Sequence, residues 1–154
     1  MNNKKLTILA AADLHGKRQA YKSLAYHARQ REIDIVVLAG DLTRYRDDAL
    51  EDELKDILIS IYKPVLFIMG NDDPYEWSSE HNLVNLNQRR YVYNDIPFVG
   101  YQYSNPFVGG DFEKTEEEQS EDFKTLKGLV DSNTVLVTHN PCYGILDEPD
   151  PGSH

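Results

Sequence analysis

Apolar positions follow two rhythms along the chain. Residues 6–12 (LTILAAA) form a continuous apolar run that stops at Asp13-Leu14-His15-Gly16. Tyr21, Leu24, Ala25 and Ala28 then recur at i, i+3, i+4 and i+7, the spacing of one buried helix face. A second run, 33–39, closes on Gly40-Asp41. Leu50, Leu54, Ile57, Leu58 and Ile61 mark a second helix, with Asp47 or Asp48 near its start and Pro64 just past its end. A third run, 65–69 (VLFIM), closes on Gly70-Asn71-Asp72-Asp73-Pro74. The order is βαβαβ, and unbroken rather than alternating apolar strands predict a parallel sheet covered on both faces.

The second half changes character. Residues 91–93 and 97–103 read as shorter strands joined at Asn94-Asp95, a hairpin-like meander. The polar, Gly-rich and acidic stretch 104–121 reads as a mobile loop. Phe123, Leu126 and Val130 predict one more helix, and 134–138 (TVLVT) a last buried strand leading into His139-Asn140-Pro141. No internal repeat or linker divides the 154 residues, so a single domain over 1–154 is expected.

Charge narrows the partners. Residues 1–46 hold nine Lys/Arg against four Asp/Glu, the remainder seven against twenty-two, for a formal net charge of −10. Such a balance repels anionic membranes and nucleic acid, small nucleotides excepted. The acidic runs DDALEDELKD and EKTEEEQSED read as solvated helix faces or a loop. The single cysteine, Cys142, excludes an intrachain disulfide and a cysteine zinc cluster. The first residues imitate a signal peptide, but Asp13 and His15 interrupt the short apolar run, and a cytoplasmic location is expected.

Four apolar strands end in polar residues able to bind metal: Asp13 and His15, then Asp41, then Asn71, then His139. Ligands of open parallel sheets bind just beyond the carboxyl ends of strands. Any one of these endings is ordinary turn or cap chemistry; four on one sheet edge point to a site. Two carboxylates, one amide oxygen and two imidazoles suit Mn²⁺, Fe²⁺ or Zn²⁺ better than the all-oxygen ions Ca²⁺ and Mg²⁺. Five ligands exceed one catalytic zinc and fit two adjacent ions sharing a carboxylate. His27, on the first helix, and His81, in a polar stretch, fall outside this set. Trp77, Tyr75 and Phe107 read as loop packing or as a wall around a substrate base.

Asp13-Leu14-His15, Gly40-Asp41, Gly70-Asn71-Asp72-Asp73 and Thr138-His139-Asn140-Pro141 resemble, in order and spacing, the first four motifs of calcineurin-like metallophosphoesterases. The resemblance implies a four-layer α/β/β/α sandwich with two divalent metal ions between the sheet ends, manganese first, with iron, zinc and nickel as alternatives. It places Asp13 and His15 on one ion, Asp41 between the two, and Asn71 and His139 on the other. It implies hydrolysis of a phosphodiester or phosphomonoester by a hydroxide bridging the ions. The alternative is a noncatalytic scaffold of the same fold that binds a protein partner.

Three departures from the family pattern stand out. Asp72 occupies the place of a histidine near the leaving group, which favours diesters or activated esters and requires the carboxylate to be protonated or turned away. Cys142 replaces the second proline of His-x-Pro-Pro. The final Gly-His-x-His motif is absent, so the fold is expected to be short at its C-terminus, its activity impaired, and an exposed sheet edge open to a homodimer. His154 is a weak stand-in for the absent ligands.

Overall fold

A computed structural model describes residues 5–107 and 109–141. β1 (Ile8–Ala11), α1 (Arg18–Ala28), β2 (Ile35–Ala39), α2 (Asp48–Ile59) and β3 (Val65–Ile68) follow the predicted order. Then come β4 (Leu83–Asn85), β5 (Arg90–Tyr93), β6 (Ile96–Tyr101), α3 (Glu116–Leu126) and β7 (Val135–Thr138). One sheet has the order β1-β2-β3-β4, all parallel. The other has the order β5-β6-β7, antiparallel at β5/β6 and parallel at β6/β7.

The layers follow from which way each side chain points. Along β2 and β3, Val36, Leu38, Val65 and Phe67 face the helices and pack with Leu24 and Ala28 of α1 and Leu54 and Leu58 of α2. Their alternates Ile35, Val37, Leu66 and Ile68 face the second sheet and meet Phe98 and Val137. Val99 and Tyr101, on the far side of that sheet, pack on Leu126 of α3. The result is α1 and α2, sheet, sheet, α3. Two-sided burial is why β2 and β3 lack alternation. β1 departs from the expected double cover: it lies at the sheet edge, and its residues alternate between exposed and half-buried.

The start of α2 matches its chemistry. Asp47 caps α2 by accepting from the Leu50 N–H at 3.0 Å, and the acidic run behind it is partly tied down by Lys55, which pairs with Glu51 at 2.5 Å and Glu80 at 3.2 Å.

Two expectations need correction. The stretch 104–121 is not a loop throughout, because α3 begins inside it at Glu116. Thr115 and Glu118 form a capping box there, so the Thr-Glu-Glu-Glu run is a helix start whose acidic side chains also suit the positive end of the helix dipole. The helix also ends at Leu126, short of Val130. β4, which the apolar pattern did not predict, pairs in parallel with β3. At three residues it is too short to show a strand rhythm.

Candidate metal centre

Register delivers the site. β1 and β2 pair Ala11 with Leu38, and β2 and β3 pair Ala39 with Ile68, so the segments after all three strands emerge at one level. Pairing continues beyond the strands: the N–H groups of Asp13, His15 and Gly16 donate to the carbonyls of Gly40, Asp41 and Leu42 at 3.1, 2.9 and 2.8 Å. This ladder holds the Asp13–His15 turn beside Asp41. Asp13, His15 and Asp41 all adopt left-handed backbone, with φ of 56°, 46° and 52°. Non-glycine residues rarely do so, and such strain is concentrated at functional sites.

Asp13, His15 and Asp41 each offer a donor atom within 4.8 Å of the others. His15 Nε2 stands 3.9 Å from both Asp13 Oδ1 and Asp41 Oδ2. Donors bound at about 2.0–2.2 Å to one ion stand about 3–3.5 Å apart, so a small contraction seats a cation among them. The other oxygen of Asp41 faces the second group: Oδ1 lies 3.4 Å from His139 Nε2. His139 Nδ1 donates to the Ala39 carbonyl at 2.9 Å, and its Nε2 is turned to Asn71 Oδ1 at 3.0 Å and to Asp41. An imidazole nitrogen and two oxygens thus face one another here, a grouping that could hold a cation. All five sequence-derived candidates therefore meet in one cluster, and Asp41, only 5% exposed, stands between its halves.

Burial pushes the Asp41 carboxyl above its ordinary range, while the Asp72 N–H and the two imidazoles pull it part of the way back. A cation would supply the missing positive charge.

Two glycines make room. A Cβ on Gly40 would overlap His139 Nδ1, and one on Gly70 would overlap Asp41 Oδ1 and stand 2.8 Å from His139 Cε1. The Gly70→Ala variant is expected to bind divalent cation at least about tenfold more weakly than the parent by titration calorimetry, since Asp41 or His139 must leave its place.

Asp73 is the motif residue to which sequence reasoning assigned no role. It is 3% exposed and accepts four hydrogen bonds: from the Thr43 N–H at 2.6 Å, the Thr43 hydroxyl at 3.1 Å, the Leu42 N–H at 3.1 Å and the Gly70 N–H at 2.8 Å. It thereby ties the loop after β2 to the loop after β3. Burial raises its carboxyl and the backbone donors of Thr43, Gly70 and Leu42 oppose that. Its sequence signal, an acid two places after a strand-end Asn, is indistinguishable from turn chemistry.

The Asp72 carboxylate is engaged rather than bare: Oδ1 accepts from Asn71 Nδ2 at 3.1 Å, and Oδ2 lies 3.7 Å from Arg44 Nε. Trp77 belongs to the core, 1% exposed and edge-on to Phe67 at 6.0 Å, and is no substrate wall. Tyr75 lies under Arg46, and Phe107 is 84% exposed. Cys142 and His154 lie outside the described residues.

The sequence pattern of the calcineurin-like phosphoesterases matches residues 6–153. The chain belongs to that family. Its architecture also matches TT1561 of Thermus thermophilus, with a TM-score of 0.71 at 15% identity, over 92% of this chain and 71% of that one. A second solved structure matches with a TM-score of 0.66 at 14% identity, over 89% of this chain and 70% of that one. At such identities the likeness is one of fold. The sequence matches no curated protein. As a calcineurin-like phosphoesterase, the chain combines a hydrolase fold with an Asp-His-Asp group able to hold a metal ion. Among the described residues, no helix is long and apolar enough to cross a membrane.

Proposed function

We propose that this calcineurin-like phosphoesterase hydrolyses phosphate esters, diesters or activated esters foremost, using two divalent cations held by Asp13, His15, Asp41, Asn71 and His139. The observation that carries this reading is the buried Asp41 carboxylate, with Oδ2 turned to His15 and Oδ1 to His139. Asp13 and His15 would hold one ion, Asn71 and His139 the other, and Asp41 both. Bound there, the ions would supply Lewis acidity toward phosphoryl oxygens and lower the pKa of water toward neutrality. The mixed nitrogen and oxygen donors favour manganese, with iron, zinc or nickel as substitutes.

The chain's own contribution is placement. The ladder between the turns after β1 and β2 fixes Asp13 and His15 against Asp41, and the Ala39 carbonyl fixes the His139 ring. Asn71 is neutral, so it adds a donor oxygen without cancelling positive charge. Preorganised groups of this kind stabilise developing charge without reorganising during the reaction. The purified chain loaded with Mn²⁺ is expected to hydrolyse bis(p-nitrophenyl) phosphate, and to lose that activity on chelation and regain it on adding Mn²⁺ back. Activity indifferent to the chelator would overturn the proposal, and tight metal loading without hydrolysis would favour the noncatalytic scaffold.

A further inference from the structure

The two imidazoles of the centre are held differently. On His139 the nitrogen away from the donor cluster is satisfied by a main-chain carbonyl, Ala39, at 2.9 Å. On His15 the corresponding atom, Nδ1, is buried and has no hydrogen-bond partner. An unpartnered buried nitrogen is costly and rare, and calls for an explanation. The nearest charged atom across from it is Asp72 Oδ2, at 3.7 Å.

Asp72 is built to close that gap. Its N–H donates to Asp41 Oδ1 at 3.0 Å, which anchors its main chain to the centre. Its side chain is only about a quarter exposed, and Oδ1 is steered by the Asn71 amide. Arg44 Nε stands 3.7 Å from Oδ2 on the solvent side, so the carboxylate lies between a guanidinium and an imidazole. A side-chain rotation of under about 1 Å brings Oδ2 within hydrogen-bonding range of Nδ1.

We propose that Asp72 is a positioning residue: its carboxylate takes the Nδ1–H of His15 and thereby commits Nε2 to the ion shared with Asp13 and Asp41, while Arg44 balances its charge at the rim. This rests on the metal-binding reading above. Neutral imidazole carries one N–H, so whichever nitrogen donates decides which one can ligate. A carboxylate on the far nitrogen fixes the tautomer and strengthens the ligand. The acid next to the centre is thus tied to the protein side of the site and is not aimed at the phosphate.

The test uses the full chain, labelled with ¹⁵N and titrated with Zn²⁺, read by calorimetry and by long-range ¹H–¹⁵N spectra of the imidazoles. The parent is expected to show His15 as the Nδ1–H tautomer with Nε2 shifted by zinc. In Asp72→Ala, zinc affinity at the His15 half should fall about 10- to 100-fold and the Nδ1–H signal should be lost to exchange, with His139 unchanged. Asp72→Asn, which keeps an acceptor oxygen, should restore the signal and most of the affinity. An Asp72→Ala protein with parental affinity and an intact His15 signal would overturn the inference, as would equal disturbance of His139. If the parent itself binds no zinc, the metal-binding reading fails instead.

Discussion

Asp41→Asn is expected to lower the rate of phosphodiester hydrolysis by at least about 10²- to 10³-fold, the scale seen when one preorganised electrostatic contact is removed from a reacting centre. The substitution is nearly isosteric. An amide oxygen in place of Oδ1 still accepts the Asp72 N–H, so the loop after β3 keeps its anchor. What goes is the second anionic oxygen. With Oδ2 replaced by an amide nitrogen, the group facing His15 has no lone pair for a cation, and the residue serves one half of the cluster. Initial rates at saturating Mn²⁺, with metal content measured on the same samples, check this. An Asp41→Asn protein as active as its parent would remove the basis for hydrolysis by this cluster.

Asp73→Ala should act on stability. It strands three backbone N–H groups and one hydroxyl that all end on this carboxylate. Each orphaned donor costs about 1–3 kcal/mol, and partial relaxation or entering water recovers some of it, so a net loss of about 3–5 kcal/mol follows. For a chain of this size that is a fall of about 10 °C in Tm, readable by circular dichroism. Asp73→Asn keeps only one oxygen and turns an amide N–H₂ toward two of the donors, so most of the loss should persist. A variant melting within about 2 °C of the parent would mean that the loops after β2 and β3 are held by other contacts.

How much of this was visible beforehand depends on the length scale of the signal. The runs ending at Asp41 and Asn71 declared parallel strands because both faces of β2 and β3 are buried, a property written in consecutive residues. Asp13, Asp41 and Asn71 share one edge of the first sheet, as the sequence pattern predicts, but His139 arrives from β7 of the second sheet and not from that same edge. The Asp73 staple and the approach of Asp72 to Arg44 and His15 depend on loops adjacent in space but 28 to 57 residues apart in sequence, where no periodicity exists. β4 is too short for a rhythm to register. The start of α3 did carry a local signal, Thr115 with Glu118, obscured by the surrounding acids.

The left-handed turns at Asp13 and His15 have an evolutionary corollary. An L-residue in that conformation sacrifices about 1–2 kcal/mol that glycine would not. A laboratory selection for heat resistance, blind to chemistry, would therefore drift both positions toward glycine and erase the ligands as it hardened the scaffold. Durability and reactivity pull these two codons in opposite directions.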